Sequence, residues 1–312
     1  MELTIIDGNP PNSGWSYGVT RFLQEAAKDS ELSTEAYKIS DIRTEEHNKK
    51  DGVVDLTKLN VPDLVIPYDI SLETHGQWPD ILEWMENNGA VVVSSKESLL
   101  RSLNKITMGD ALIRNNVPHP RFLNIDTPSG NPTDIRHDYK NIVQEIGAPF
   151  VVKTAYGARG DGVRKVDNIN EFSTVLSTLG GDENNPLLVQ KFIPTSMGKD
   201  VRAMVIGDNV AFSMLRKAKD PDEFRSNFSL GGTVTPYTLS QEEKNIAVNA
   251  TKAIGLDYSG VDLLFSKQGL IVCEVNESPG FKGMEQAYPE MNIGKKILYH
   301  CIQVAQMKDG PV

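Results

Sequence analysis

Short apolar runs and amphipathic stretches alternate through the first hundred residues. Residues 3–6 read as a buried strand, with a helix over 19–27 behind it. The runs 63–67 (DLVIP) and 90–93 (AVVV) read as further strands, and 78–87 as a helix that ends near Gly89. This alternation predicts a small α/β layer built on a parallel sheet. A longer helical period covers 97–116 and stops before Pro118 and Pro120, which cannot continue it. The charged stretch 45–51 and the Pro/Gly/Ser-rich stretch 127–132 read as loops. Beyond them come strands at 150–153 and 163–166 around a glycine-bearing loop, and a helix at 170–179. From 187 onward the pattern turns antiparallel. Strands at 187–193, 200–206 and 210–217 are followed by a helix from the capping box Ser240–Glu243 to Ile254, with Gly255 as its stop. A hairpin of 260–265 and 270–276 and a last helix over 293–307 complete the chain. Three units are expected: 1–97, 98–186 and 187–312.

The last hairpin, GVDLLFSKQGLIVCEVNESPG, carries an unusual set of acids. A three-residue loop Lys267-Gln268-Gly269, with Gly in the left-handed position, pairs Ser266 with Leu270 and, counting outward, Asp262 with Glu274. Strand side chains alternate, so Asn276 shares the face of Glu274. Directly opposed like charges destabilise a sheet. An oxygen-liganded Mg²⁺ gives a reason to place them so. Solvated acids on an open strand face are the plainer reading, and a two-residue loop would spoil the pairing.

Composition changes the picture only at the margins. The 312 residues carry 32 Lys+Arg against 42 Asp+Glu, a formal charge of −10, which disfavours nucleic acid as a general partner. Two cysteines, Cys273 and Cys301, give neither a disulfide scaffold nor a zinc spacing. No apolar run approaches the roughly 20 residues that span a bilayer, and the first residues lack a signal pattern, so a cytoplasmic protein without a membrane partner is expected.

Lys153 ends a strand and is followed by TAYGARGDG, whose Gly157, Gly160 and Gly162 let backbone N–H groups approach an anion. It is neither a Walker loop nor a dinucleotide fingerprint, and a flexible hairpin loop fits it equally. Lys105 fits a surface helix position. Asp200 and Arg202 fit a surface ion pair, Arg216, Lys217 and Lys219 a solvated strand end, and Arg225-Ser226-Asn227 a polar turn.

The order of these pieces is more specific than any one of them. RSLNKITMGDALIRNNVPHP, PFVVKTAYGARGDGV, LLVQKFI, KDVRAMVIGD, EFRSNFSLGG, YSGVDLLF and VCEVNESPGFKGME together resemble the ATP-grasp superfamily, most closely the RimK-like carboxylate–amine (alpha-L-glutamate type) ligases, from about Asp63 to the last helix. The resemblance implies an N-terminal parallel α/β domain followed by two lobes that clasp ATP. It implies that Lys105 and Lys153 hold phosphates, with Gly160 in the loop above. Gln190, Lys191, Phe192 and Ile193 would form the hinge that reads adenine through the backbone, and Asp200 would contact the ribose side. Ser226 would lie by the nucleotide, and Arg202, Arg225 and Asn227 would act in catalysis. Asp262, Glu274 and Asn276 would bind Mg²⁺, or Mn²⁺ in its place. The implied reaction joins a small carboxylate, or a peptide or protein tail, to an amine such as that of glutamate, through an acyl-phosphate, in a homo-oligomer.

Two departures stand out. Lys191 falls where the family often has an acid, and Leu230 where several relatives have arginine, so no particular substrate carries over. Three other functions compete. A ligase for dipeptides or a cofactor tail differs only in acceptor. An ATP-binding regulator without catalysis is disfavoured by the intact acidic trio. A ligand loop at Gly8–Gly14, on the end of the first strand, is slightly less favoured than a plain connection.

Overall fold

The structure is a computed structural model describing residues 1–10, 13–43, 54–55, 60–70, 78–125, 132–157, 160–220, 223–226 and 231–308. The loop expected at 45–51, the loop expected at 127–132 apart from Pro132, Asn227 and Leu230 lie outside the described residues, and Pro132 begins a helix rather than ending a loop.

The N-terminal layer runs β1 (Glu2–Asp7), α1 (Tyr17–Ala26), β2 (Ser33–Lys38), β3 (Ile42–Arg43), β4 (Val54–Asp55), β5 (Leu64–Tyr68), α2 (Trp78–Asn87) and β6 (Val91–Val92). Strands β2-β1-β5-β6 form the expected parallel sheet. β2 escapes a hydrophobicity reading because it is polar and only half-buried (STEAYK).

The long helix expected over 97–116 is two helices, α3 (Lys96–Leu103) and α4 (Lys105–Arg114). Asn104 leaves helical geometry, and its Oδ1 accepts from the N–H groups of Ile106 and Thr107. A short polar side chain satisfies these orphan donors better than continuation does. The break makes Lys105 the first residue of α4. Asn104→Ala is expected to cost about 1 kcal/mol of stability, read as a shift in urea midpoint without a change in slope.

The central lobe comprises β7 (Phe122–Ile125), α5 (Pro132–Ile146), β8 (Phe150–Thr154), β9 (Val163–Val166), α6 (Ile169–Leu179) and β10 (Leu187–Lys191), with antiparallel order β7-β10-β8-β9. The antiparallel pattern thus begins before 187, and the strand expected to open the last unit pairs inside this sheet. One face of this sheet packs Phe150, Val152, Leu187 and Val189 against Ile142, Phe172 and Leu176 of α5 and α6, a core of its own. The other face presents Leu188, Lys153 and Gln190, because Leu188 pairs with Lys153 and side chains alternate.

The C-terminal lobe runs β11 (Lys199–Ile206), β12 (Asn209–Lys217), β13 (Thr233–Pro236), α7 (Gln241–Ile254), β14 (Tyr258–Ser266), β15 (Gly269–Asn276), α8 (Lys282–Ala287) and α9 (Ile293–Lys308). Its antiparallel order is β13-β12-β11-β14-β15. Both halves of the Ser240/Glu243 capping box form. One face packs Val201, Val261, Val272 and Val275 onto α7 and onto Met108 and Leu112 of α4. No helix among the described residues is long and apolar enough to cross a membrane.

Candidate active site

The β14–β15 turn corrects the expected register. Ser266 pairs with Gly269, so the loop is the two residues Lys267-Gln268, the arrangement that should spoil the acid pairing. A bulge restores it. Leu263 pairs with Val272 but Asp262 pairs with Glu274, which leaves Cys273 as the extra residue. Leu270, Val272 and Val275 stay buried, while Ile271, Cys273, Glu274 and Asn276 are all half-exposed. The bulge thus places two consecutive side chains, Cys273 and Glu274, against the cleft between the sheets.

Two lysines line that cleft from the opposite side. Lys105 is 9% exposed, and its Nζ donates to the Gly157 carbonyl at 2.7 Å. Burial lowers its pKa, partly opposed by the Glu274 carboxylate. Lys153 Nζ donates to Gln190 Oε1 at 2.7 Å and lies 3.9 Å from Cys273 Sγ. With Glu274, Met108, Phe122 and Leu188 they line an open cleft. At its rim the chain leaves β10 through Phe192 and Ile193. Gln190 is inside at 9% exposed, Lys191 outside, and Phe192 packs edge-on against Phe224.

Behind the cleft lies a buried ionic network that corrects two expectations. Asp200 and Arg202 are not partners. Arg202 forks onto Asp262, Nε to Oδ1 at 2.6 Å and Nη2 to Oδ2 at 2.7 Å. Asp200 instead accepts a fork from Arg216, with Nε to Oδ1 at 2.7 Å and Nη2 to Oδ2. Arg216 also reaches Asp262 Oδ2 at 2.8 Å. Far from a solvated strand end, Arg216 is 4% exposed, between carboxylates at 5% and 6%. The Ser226 hydroxyl closes the far side on Asp200. Asp200 therefore does not offer the cleft a free carboxylate. Burial alone would raise the Asp262 carboxyl, but Arg202 and Arg216 outweigh it and hold it at about 2.

Arg225 reaches the glycine loop, Nη1 donating to the Gly160 carbonyl at 3.0 Å. Glu277, which no motif singled out, sits beyond the acidic hairpin with Ser102 Oγ 3.2 Å away. Burial pushes its carboxyl up to about 7.

The model of the RimK-like ATP-grasp domain matches residues 103–301. The chain belongs to that family. A probable alpha-L-glutamate ligase of Histophilus somni is 43% identical over 46% of this chain and 48% of its own length. The like-named Legionella pneumophila protein is 34% identical over 70% of this chain and 69% of its own. The chain thus spans about half the length of the first relative and some two thirds of the second. Among solved structures, ATP-grasp ligase PsnB complexed with minimal precursor, Mg and ADP superposes with a TM-score of 0.65 over 97% of this chain and 98% of that one, at 17% identity. At that identity the likeness establishes the fold, the expected ATP-grasp arrangement.

Proposed function

We propose that this RimK-like protein is an ATP-dependent, ADP-forming carboxylate–amine ligase of the alpha-L-glutamate type. The observation that carries the reading is the convergence of Lys105, Lys153 and Glu274 on one cleft between two sheets. Two cations facing a carboxylate suit a polyphosphate with its divalent ion. Membership of the family and the names of its relatives support the same class.

The donors fit an oxygen-liganding metal. Among the described residues no three His, Cys, Asp or Glu side chains gather, so the set is two carboxylates and an amide. Asn276 Nδ2 donates to the Gly260 carbonyl at 3.0 Å, which turns its Oδ1 away from that bond and leaves it as acceptor. The Glu274 carboxylate, on a half-exposed position of the strand pair, accepts no hydrogen bond from the described residues. Asp262 Oδ1 accepts one bond, from Arg202, and keeps a lone pair. Mg²⁺ on Glu274, Asn276 and Asp262 would screen the phosphate charge and orient the γ-phosphoryl group.

In this reading Lys105 and Lys153 grip phosphate oxygens. Gln190, already fixed by Lys153, and the Phe192 backbone, which pairs with nothing among the described residues, face the base. The substrate carboxylate attacks the γ-phosphorus, ADP leaves, and the resulting acyl-phosphate is taken by the amine with release of phosphate. Arg202 and Arg225 steady the negative charge at both steps. Positioning and charge neutralisation carry such a transfer, so no protein nucleophile is needed.

Lys153→Ala is expected to weaken ATP binding by about 10–100-fold, the worth of one charge-assisted contact. Calorimetric titration with ATP reads it, and unchanged affinity removes Lys153 from the site. Phosphate release against a panel of carboxylates and amino acids, with mass spectrometry of the product, tests the activity itself. ATP binding without ADP release across the panel would favour a regulator.

A further inference from the structure

The segment Glu223–Ser226 joins the lobes at the mouth of the cleft. It is tied to the C-terminal lobe by the Gly198 N–H donating to the Phe224 carbonyl at 3.1 Å and by Ser226 on Asp200. It meets the hinge through Phe224 on Phe192, ring centroids 6.2 Å apart. Among the described residues its hydrogen bond to the central lobe is Arg225 Nη1 on the Gly160 carbonyl, with the Asp161 carboxylate of the same loop near enough to favour the guanidinium charge.

Glu223 decides which edge of that guanidinium is free. Its Oε1 accepts from Arg225 Nε at 3.0 Å and from the Arg225 backbone N–H at 2.8 Å, and its Oε2 from Nη2 at 2.8 Å. A planar fork gripped along its Nε/Nη2 edge keeps both Nη1 hydrogens and the outer Nη2 hydrogen to offer elsewhere, and here Nη1 is the one that reaches the loop. The extra bond to the backbone fixes the root of the side chain as well as its tip. Two residues apart on one short segment, the pair needs no distant element to form. The mutual shifts agree with a true pair. Arg225 holds the Glu223 carboxyl below its ordinary value, and Glu223 raises the Arg225 guanidinium.

We propose that Glu223 is a positioning residue that aims the Nη1 edge of Arg225 across the cleft mouth, latching the glycine loop to the C-terminal lobe in the nucleotide-free protein. The same aim presents that edge to a transferring phosphoryl group, so the carbonyl of Gly160 occupies the place an anionic oxygen takes over. The second consequence rests on the ligase reading; the latch does not.

Amide hydrogen exchange on the nucleotide-free protein tests the latch without any activity. Glu223→Gln, which loses one arm of the fork, and Arg225→Ala are both expected to speed exchange at Gly160, Asp161 and Gly162 by about tenfold or more, with the melting temperature unchanged. An exposed pair without this role moves local stability by no more than about fivefold. Wild-type exchange in Glu223→Gln beside faster exchange in Arg225→Ala overturns the role of Glu223. Wild-type exchange in both overturns the latch. Where phosphate release is measurable, Glu223→Gln should lower kcat by about tenfold or more with KM for ATP little changed, because aim matters most when charge moves. A fall confined to KM counts against positioning. A wild type that turns over no ATP refutes the ligase reading and leaves the exchange result to stand or fall alone.

Discussion

Arg216→Met unfolds at markedly lower urea concentration than the wild type, with an expected loss of about 3–5 kcal/mol. The guanidinium is the shared partner of Asp200 and Asp262, all three 4–6% exposed. Its removal strands Asp200 with only the Ser226 hydroxyl and leaves Asp262 to Arg202 alone. Breaking a buried ionic group from one side costs far more than its assembly contributes, because the remaining charge cannot rehydrate. The double variant Asp200→Leu/Arg216→Met removes the stranded partner together with the cation and should recover most of the loss, since the Arg202 fork on Asp262 is intact. A single variant within about 1 kcal/mol of wild type would show that water reaches the network freely. Acid titration carries a signature of the same arrangement. The Asp262 carboxyl is held at about 2, below the unfolded carboxylate. Its contribution is complete above the unfolded value of about 3.9 and is lost as the pH falls toward 2.

The network also shows where reading the chain stops being enough. Hydrophobic period and turn chemistry locate β8, β10 and β15 but not β7, whose Phe122 also lines the cleft, and Asp262, Glu274 and Asn276 do share one face. Counting from a three-residue loop gives the pairing, however, whereas the chain uses a two-residue loop plus a bulge at Cys273. Two errors of one residue cancel. The β11–β12 hairpin cancels in the same way, because strands 200–206 and 210–217 joined by Gly207-Asp208-Asn209 set Asp200 opposite Arg216, the observed pair. Ile206 pairs with Asn209, which alone would set Asp200 opposite Leu215. The extra residue Ala211 shifts the register and brings Arg216 there instead. A bulge adds no residue type that marks it, and a one-residue slip moves every side chain beyond it to the other face. Arg216 reads as a solvated strand end because it stands beside Lys217 and Lys219, and charge alone does not tell the 4% exposed member of that run from its neighbours. The split at Asn104 has a visible cause, an N-cap residue inside a helical period, but the period alone favours one helix. The two lysines, by contrast, were placed by motif order, which survives such slips because it depends on sequence neighbours rather than on partners across a sheet.

Glu274→Ala is expected to lower ATP-dependent phosphate release by about 10²–10³-fold, the range for loss of a group that stabilises developing charge, while the protein stays folded. The two halves of that expectation have separate causes. Stability should hold within about 0.5 kcal/mol, because Glu274 is half-exposed and its carboxylate accepts no hydrogen bond from the described residues. Its removal relieves the repulsion with Asp262 across the strand pair, which offsets the loss of a carboxylate that favours the charge on buried Lys105. Activity should fall because the carboxylate is held at the cleft by a bulge whose extra residue packs beside it, opposite Lys105 and Lys153. A carboxylate kept at a sheet position that favours apolar or opposite-charge pairs points to a cation supplied from outside the chain. Glu274→Gln separates charge from shape. It keeps the side-chain volume and an amide oxygen, so retained turnover in Gln but not Ala would mean that Glu274 orients rather than neutralises. Substantial ADP release by a folded Ala variant would remove Glu274 from the metal set, and the cleft would then rest on the two lysines alone.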